Sequence, residues 1–427
     1  MADSASVPLR LPPSLAQLLG IRDFVLLWSG STVSLLGDGV YFVAIAWEVY
    51  RLSNSPTALG VVGAAFSLPQ VLLLLVGGVV SDRIDRRRVM IAGNVGSAAA
   101  VGAIGVLTQL QAVALWEIWV LVVVYGISQA FFMPASRALV PTLVPTDLLP
   151  QASAVEQFVQ PVAMSLVGPA VGGGLVALGG SGVALLLDGA SFGVAAVTLA
   201  MISSPAARAR PAGAPASVLR EAGQALGFVR SQPWIWAGLL AAALANITLT
   251  GPQQVLVPYI LKFHLHGSPS DLGLIYAGGG LGAIAAAVYI AIRGMPRRSV
   301  TWIFLPWAVS TLAVAPIGMA TAAWQVMGLA LVINSGIALG NMIWFALMGA
   351  LVPNQMLGRV SSFDMAISFS LTPISNGVTG PVAGALGARL TLLGAGVIAG
   401  VTTAAFLLVP GVREPEGRRA GRTDPRP

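Results

Sequence analysis

Apolar runs of about 20 residues recur along the whole chain, and no other feature constrains its fold as strongly. A run of this length crosses a hydrocarbon core of roughly 30 Å as an α-helix. Of the 427 residues, 56% are hydrophobic and only 9% are charged. This composition excludes a set of soluble domains. We therefore predict an all-α membrane protein.

The runs and their polar breaks predict twelve transmembrane helices arranged as two six-helix bundles. The predicted spans are residues 24–49, 57–80, 89–109, 113–135, 152–178, 182–203, 233–260, 270–292, 300–320, 325–351, 362–386 and 390–410. An even number places both termini on one side of the membrane. If that side is the cytoplasm, only Arg51, Lys262 and Arg389 among the 23 basic residues lie on outer segments. The positive-inside rule thus predicts that both termini are cytoplasmic.

Polar segments divide the chain into five predicted parts. The two bundles are separated by a linker that begins SSPAARARPAGAPAS and ends with apolar residues at helical spacing, which favours a short interfacial helix. The parts are a cytoplasmic N-terminal segment (1–21), a first bundle (22–204), the cytoplasmic linker (205–232), a second bundle (233–410) and a disordered cytoplasmic tail (411–427).

Residues 77–90 read GGVVSDRIDRRRVM, a charged cluster between the second and third predicted helices. Asp82 ends the second helix, where a carboxylate beside hydrocarbon is costly unless it is paired. The positive end of the eleventh helix, near Ser361 and Ser362, is a candidate partner. The arginines have two open interpretations: they pair with acids or anionic lipid headgroups, or they only set the topology. The acids considered are Asp82, Asp85, Asp147 and Asp364, and the candidate gating residues are Gly78, Asp82, Arg83, Arg86 and Arg87.

The stretch GGVVSDRIDRRR resembles the motif that the major facilitator superfamily carries between its second and third helices. VGPAVGGG in the fifth helix is similar to the superfamily's antiporter motif, although Met164 stands where a leading glycine is usual. RDFVLLWSGSTVSLLGDGV, FFMPASRALVPTLVP and DGASFGVAAV resemble the branch that contains macrolide efflux pumps and enterobactin exporters. The fourth helix lacks the intramembrane arginine of many proton-coupled drug exporters.

The resemblance implies two pseudo-symmetric bundles that work by alternating access. It also implies that Asp82 bridges the two halves when the protein is closed to the cytoplasm, so that breaking this contact favours the inward-open state. In the fifth helix, the motif implies a bend with close packing at Gly168, Pro169, Gly172 and Gly173.

Acidic residues inside membrane helices are costly, and each is a candidate for proton coupling or substrate binding. Asp38 lies 14 residues after Phe24, roughly 21 Å along the first helix. Three interpretations of the Asp38 carboxyl group are open: it exchanges a proton, it contacts a cationic substrate, or it forms a local hydrogen bond at the Gly37-Asp38-Gly39 break. Glu156 is a carrier, a gate or a helix N-terminal acid. Asp188 lies in the outer third of the sixth helix.

Polar amides in two helices are candidates for substrate contacts in a central cavity, whereas Asp364 is interpreted as helix-end electrostatics. Trp344 and Phe345 are either cavity-lining residues or packing anchors. The polar candidates are Gln253 and Gln254 in the seventh helix and Asn334 and Asn341 in the tenth.

These features predict a proton-coupled exporter of small amphiphilic drugs or metabolites. The alternative is a dedicated exporter of one siderophore or secondary metabolite, and a non-transporting membrane receptor is less favoured. The sequence has no HExxH or Walker motif and no cysteine, so we expect no enzyme activity, cofactor or metal site. The expected partners are a small-molecule substrate, protons and membrane lipids, without nucleic acid. We expect a monomer in a bacterial inner membrane.

Overall fold

The computed structural model describes residues 13–203 and 218–416, and the regular structure in these two ranges is helical throughout. Within these described ranges, ten segments are long and apolar enough to cross a membrane. They are Arg22–Leu52, Pro56–Leu73, Arg86–Gln109, Leu115–Leu143, Thr146–Ala200, Pro233–Phe263, Pro269–Arg293, Thr301–Met319, Ala323–Leu351 and Ala388–Leu408.

The first half of the chain consists of a short leading helix and six longer ones. These are α1 (Pro13–Leu19), α2 (Arg22–Leu52), α3 (Pro56–Arg83), α4 (Arg86–Gln109), α5 (Leu115–Leu143), α6 (Leu149–Gln160) and α7 (Gly168–Ala200). A π-helical segment, Pro161–Val167, joins α6 to α7. It begins at a proline, which has no N–H for the regular helical hydrogen bond.

The second half follows the undescribed residues 204–217. It contains α8 (Val218–Ser231), α9 (Pro233–Gly251), α10 (Val257–Phe263), α11 (Pro269–Arg293), α12 (Thr301–Leu312), α13 (Ala323–Leu351), α14 (Asn354–Ser370), α15 (Thr372–Leu386) and α16 (Ala388–Ala405). A second π-helical segment, Pro252–Leu256, joins α9 to α10 and again begins at a proline.

Three buried apolar clusters show how the halves meet. One cluster contains residues of both halves, for example Val43 and Ile104 with Leu256 and Leu392. The other two clusters each belong to one half, and they contain the opposite ends of the same helices. The halves therefore share a core at one end, the closed end, which carries residues 53–55 and 264–268. They have separate cores at the open end, which carries residues 84–85 and 352–353.

Glycines bring the helices of the two halves into contact at the closed end. A Cβ added at Gly63 of α3 would lie 3.2 Å from the Cβ of Asn376 in α15. A Cβ added at Gly273 of α11 would lie 3.0 Å from the Cα of Gly173 in α7. Small residues permit such close backbone approach between membrane helices.

Several helix bounds differ from the sequence-based ones. The break that the sequence predicts between residues 178 and 182 is present at Gly180, whose φ of 80° is in a region that glycine tolerates, but other bounds differ. The predicted eleventh helix begins at Asn354 rather than 362. Within the predicted disordered tail, residues 411–416 are packed: Val412 is fully buried, and Glu416 accepts a 2.6 Å hydrogen bond from the Thr301 amide. Residues 1–12, most of the linker (204–217) and residues 417–427 lie outside the described part.

Replacing Gly172 by valine should destabilise the protein, because a Cβ at this position would lie 2.7 Å from the Cα of Val40 in α2. Overpacking of this kind costs about 1–3 kcal/mol. The measurement is thermal unfolding of the detergent-purified protein, followed by intrinsic tryptophan fluorescence. Gly174→Val is the matched control, since a Cβ there meets nothing within 4 Å. Equal melting temperatures for the two variants would contradict the predicted packing of α7 against α2.

Candidate functional site

Asp38 lies inside α2 and is hydrogen-bonded to a tyrosine of a different helix. The Tyr125 hydroxyl of α5 donates a 2.6 Å hydrogen bond to Asp38 Oδ1. The amide of Gln129, one turn further along α5, donates to the same hydroxyl over 3.4 Å. Tyr125 itself is almost fully buried. The carboxyl group of Asp38 is thus held by a chain of polar groups inside the first half.

Asp188 of α7 is a second carboxyl group in the same region and is fully buried. Its Oδ1 accepts a long hydrogen bond, 3.4 Å, from the Ser191 hydroxyl. Its Oδ2 has no hydrogen-bond partner within the described part of the chain. Gly37 of α2 packs directly on Asp188 and Ser191, so that the residue before Asp38 touches the second acid. Asp38 and Asp188, which this packing of α2 on α7 brings into one region, are called the acid pair below.

Tyr41 adds a second aromatic hydroxyl to the surroundings of the acid pair. It lies one helical turn after Asp38, and its ring packs edge-on against that of Tyr125 with centroids 5.2 Å apart. Its buried hydroxyl has no hydrogen-bond partner among the described residues. A buried polar atom without a partner is costly, so each of these oxygens is available for a further hydrogen bond.

Glu156 is not part of this group of residues. It is exposed on α6. It lies twelve residues before Gly168, and Gly168 packs against Gly39 next to the acid pair. That separation is roughly 18 Å along a helix. The structure therefore brings Asp38 and Asp188 together and places Glu156 nearer the open end.

The four polar cavity candidates line two cavities. The first, about 370 Å³, is enclosed by the second half and is lined by Gln253, Gln254 and Asn341. The second, about 260 Å³, lies between the halves and is lined by the same two glutamines and Asn334. Gln254 also accepts a 3.2 Å hydrogen bond from the Asn376 amide. Both glutamines lie in the π-helical segment Pro252–Leu256, where the irregular backbone turns them toward both cavities.

The glycine-proline motif of α7 packs along its length against other helices. Gly168 and Gly172 lie against Gly39 and Val40 of α2, and Gly173 lies against α11 of the second half. Pro169 lines the cavity between the halves. The irregular backbone comes just before the motif, in the π-helical segment Pro161–Val167, and not within it.

Two arginines of the charged cluster, Arg86 and Arg87, contact backbone carbonyls of the first half. Arg86 donates to the Ala138 carbonyl of α5 over 2.9 Å. Arg87 donates to the Leu199 carbonyl over 2.7 Å and also to the Ala200 carbonyl, both at the end of α7. Carbonyls at a helix C-terminus carry partial negative charge and lack partners within the helix. These arginines therefore tie α4 to α5 and α7.

The other members of the cluster have simpler surroundings. Asp85 caps α4 by accepting a 2.9 Å hydrogen bond from the Arg87 amide. Arg83 is exposed, and a Cβ at Gly78 would meet nothing within 4 Å. The side chain of Asp82 lies outside the part of the chain that the structure describes, so its predicted contact with the eleventh helix stays a prediction.

Sequence reasoning missed the position of Asp364, which is buried and lines the 370 Å³ cavity together with Trp307 and Trp344. It was placed at a helix end because the eleventh helix was expected to begin at residue 362. With the observed start at Asn354, Asp364 lies ten residues, roughly 15 Å, inside the helix.

Comparison with known proteins agrees with this architecture. Residues 14–295 match the family described as transmembrane secretion effector. The chain belongs to this family. It is a major facilitator superfamily transporter, a multi-pass protein of the bacterial inner membrane.

Similar proteins include named efflux pumps. The multidrug efflux pump Tap of Mycolicibacterium fortuitum is 29% identical over 375 residues, which cover 84% of this transporter and 88% of the relative. Macrolide efflux protein A of Streptococcus pyogenes is 22% identical over 359 residues, covering 82% and 87%. A solved bacterial homologue of the human lysosomal transporter Spinster, inward-facing and unoccupied, superposes with a TM-score of 0.72 at 14% identity, covering 95% and 99%. The solved structure shows that the fold is shared.

Arg87→Ala should lower the stability of the transporter, because it leaves two carbonyls at the end of α7 without a charged donor. Hydrogen bonds to charged groups contribute about 1.5–3 kcal/mol, and the partial exposure of Arg87 favours the lower value. The check is the melting temperature of the purified protein. Arg88→Ala, at the exposed neighbouring position, is the matched control and should melt like the wild type. Identical melting of Arg87→Ala and wild type would show that these bonds do not hold the first half together.

Proposed function

We propose that this transporter is a proton-coupled exporter of small amphiphilic drugs or metabolites that works by alternating access. The observation that carries the proposal is the acid pair: Asp38, bound to Tyr125 over 2.6 Å, beside the fully buried Asp188. The names of the relatives, a multidrug and a macrolide efflux pump, support export as the direction of transport.

Two carboxyl groups in one buried region favour proton exchange for an electrostatic reason. Removing a charged group from water is costly, and two ionised carboxylates in one buried region also repel each other. Binding one proton removes the repulsion and leaves a single carboxylate, which the Tyr125 hydroxyl stabilises as a donor. When the site opens to water the proton leaves. Asp38 is the proposed exchange group because it is less enclosed than Asp188.

We further propose that the chain has twelve membrane helices with both termini in the cytoplasm. The break at Gly180 divides the segment Thr146–Ala200 into two membrane crossings, and α14 with α15 adds one that is less apolar than the ten. The open end carries the arginine cluster of residues 83–88, which the positive-inside rule assigns to the cytoplasm. The conformation described here is then inward-facing. Asp82 and the neighbouring arginines would close the open end in the opposite state.

Asp38→Asn should abolish proton-driven transport, because an amide cannot bind and release a proton at this position. Inverted membrane vesicles are energised and supplied with a panel of macrolides, other amphiphilic drugs and a siderophore, with and without a protonophore. We expect the protonophore and Asp38→Asn each to reduce uptake at least tenfold, toward the level of vesicles without the protein.

Asp147→Asn is the matched control, since Asp147 is an exposed acid before α6. It should transport like the wild type. Uptake that is insensitive to the protonophore would exclude proton coupling, and full uptake by Asp38→Asn would exclude Asp38 as its carrier. Transport restricted to the siderophore would indicate a dedicated exporter.

A disulfide across the closed end should stop transport if this end must open during the cycle. The chain has no cysteine, so the introduced pair Gly63→Cys and Asn376→Cys would be the only two thiols in the protein. The two Cβ positions are 3.2 Å apart, close to the range of 3.5–4.5 Å in disulfides. We expect mild oxidation to link the pair and reduce uptake at least tenfold, and a reductant to restore it.

The matched control pairs Gly63→Cys with Gly377→Cys, because a Cβ at Gly377 meets nothing within 4 Å. This pair should remain unlinked and active after oxidation. Wild-type uptake by a fully linked Gly63→Cys and Asn376→Cys protein would contradict alternating access through the closed end.

A further inference from the structure

The cavity of about 370 Å³ in the second half is separate from the acid pair. Its walls come from α9, α12, α13 and α14, with Gln253 and Gln254 and one residue of α16, and all of its described lining residues are numbered 238 or higher. Its volume is within the range of small-molecule sites, which is about 300–1,000 Å³. A compound of modest size therefore fits without help from the first half.

Aromatic rings form one wall of this cavity. The rings of Trp307 and Trp344 have centroids 5.9 Å apart, and Trp234 packs on the far side of Trp344 at 5.5 Å. The Trp307 indole donates a 3.1 Å hydrogen bond to the Asn341 side chain, which fixes its orientation. Gly238 and Gly340 leave room for the two indoles, since a side chain at either glycine would collide with them. The wall is thus a fixed indole surface.

Asp364 supplies the charge of the cavity. It is only 8% exposed and lies within hydrogen-bonding reach of the Trp344 indole. Among the described lining residues it is the only charged one. A buried carboxylate that has no basic neighbour in its own cavity is costly, and a cation bound beside it would offset that cost.

We propose that this cavity binds a lipophilic organic cation, with its charge beside Asp364 and its apolar body against Trp307 and Trp344. Indole rings attract cations through their electron-rich faces and also offer a large apolar surface. This inference rests on the proposed function, because it names the substrate class of the exporter. It also excludes anionic compounds, including siderophores that carry negative charge, as ligands of this cavity.

The test compares two probes of nearly equal shape and opposite charge. Radiolabelled tetraphenylphosphonium and tetraphenylborate are bound to the purified full-length protein in detergent micelles, with protein-free micelles as the background. We expect saturable binding of the cation and none of the anion. Asp364→Asn should weaken cation binding at least tenfold, Asp364→Glu should retain most of it, and Trp307→Leu should weaken it several-fold.

Two control variants separate this inference from the proposed function. Asp147→Asn should bind tetraphenylphosphonium like the wild type, and Asp38→Asn should keep saturable cation binding, although Asp38→Asn is expected to lose transport. Cation binding that depends on Asp364 in a protein without proton-driven transport would support the cavity and remove the proposed coupling. Equal binding of the two probes, or unchanged binding by Asp364→Asn, would overturn the inference. If Asp364→Asn does not fold, Trp307→Leu is the deciding variant. Unchanged cation binding by Trp307→Leu would equally overturn the inference.

Discussion

Close helix packing at the closed end is the interaction on which the rest of the structure depends. Lipid gives no hydrophobic driving force between membrane helices, so their association relies on van der Waals contact and hydrogen bonds. Here Gly63 of α3 packs on Asn376, Gly173 packs on Gly273, and the Tyr50 hydroxyl donates a 2.7 Å hydrogen bond to the Val255 carbonyl across the halves. Because the contact uses small residues and few strong bonds, it holds one conformation without making separation prohibitively costly.

The same packing places the acid pair beside the contact between the halves. Gly39, the residue after Asp38 on α2, lies against Gly168 of α7. Five residues after Gly168, Gly173 of α7 lies against α11 of the second half. A single helix therefore touches both the proton site and the other half. In the proposed mechanism, a change of charge at Asp38 reaches the closed end through α7 by direct packing.

The sequence predicted the helical class and the residues whose role follows from being polar inside an apolar run. Asp38, Gln253 and Gln254 were identified in this way, because a polar side chain in hydrocarbon is costly wherever its neighbours lie. The contacts of Arg86 and Arg87 could not be predicted, since their acceptors are a carbonyl of α5 52 residues away and a carbonyl at the end of α7 112 residues away. Asp364 was misjudged for a local reason: the helix start was placed eight residues late, because the polar sequence NQMLGRVSSFD does not resemble a membrane helix.

The two proposed binding regions lie in different halves, and this separation constrains how export and proton flow are linked. In the acid pair, Asp38 contacts the hydroxyl of Tyr125 and Asp188 contacts the hydroxyl of Ser191. In the second-half cavity, Asp364 faces indoles. A proton and a cation that occupy these regions do not displace each other from one carboxylate. Their exchange must then be linked by the conformation: each ligand favours one arrangement of the two halves. The shared core at the closed end and the separate cores at the open end allow the halves to change their arrangement.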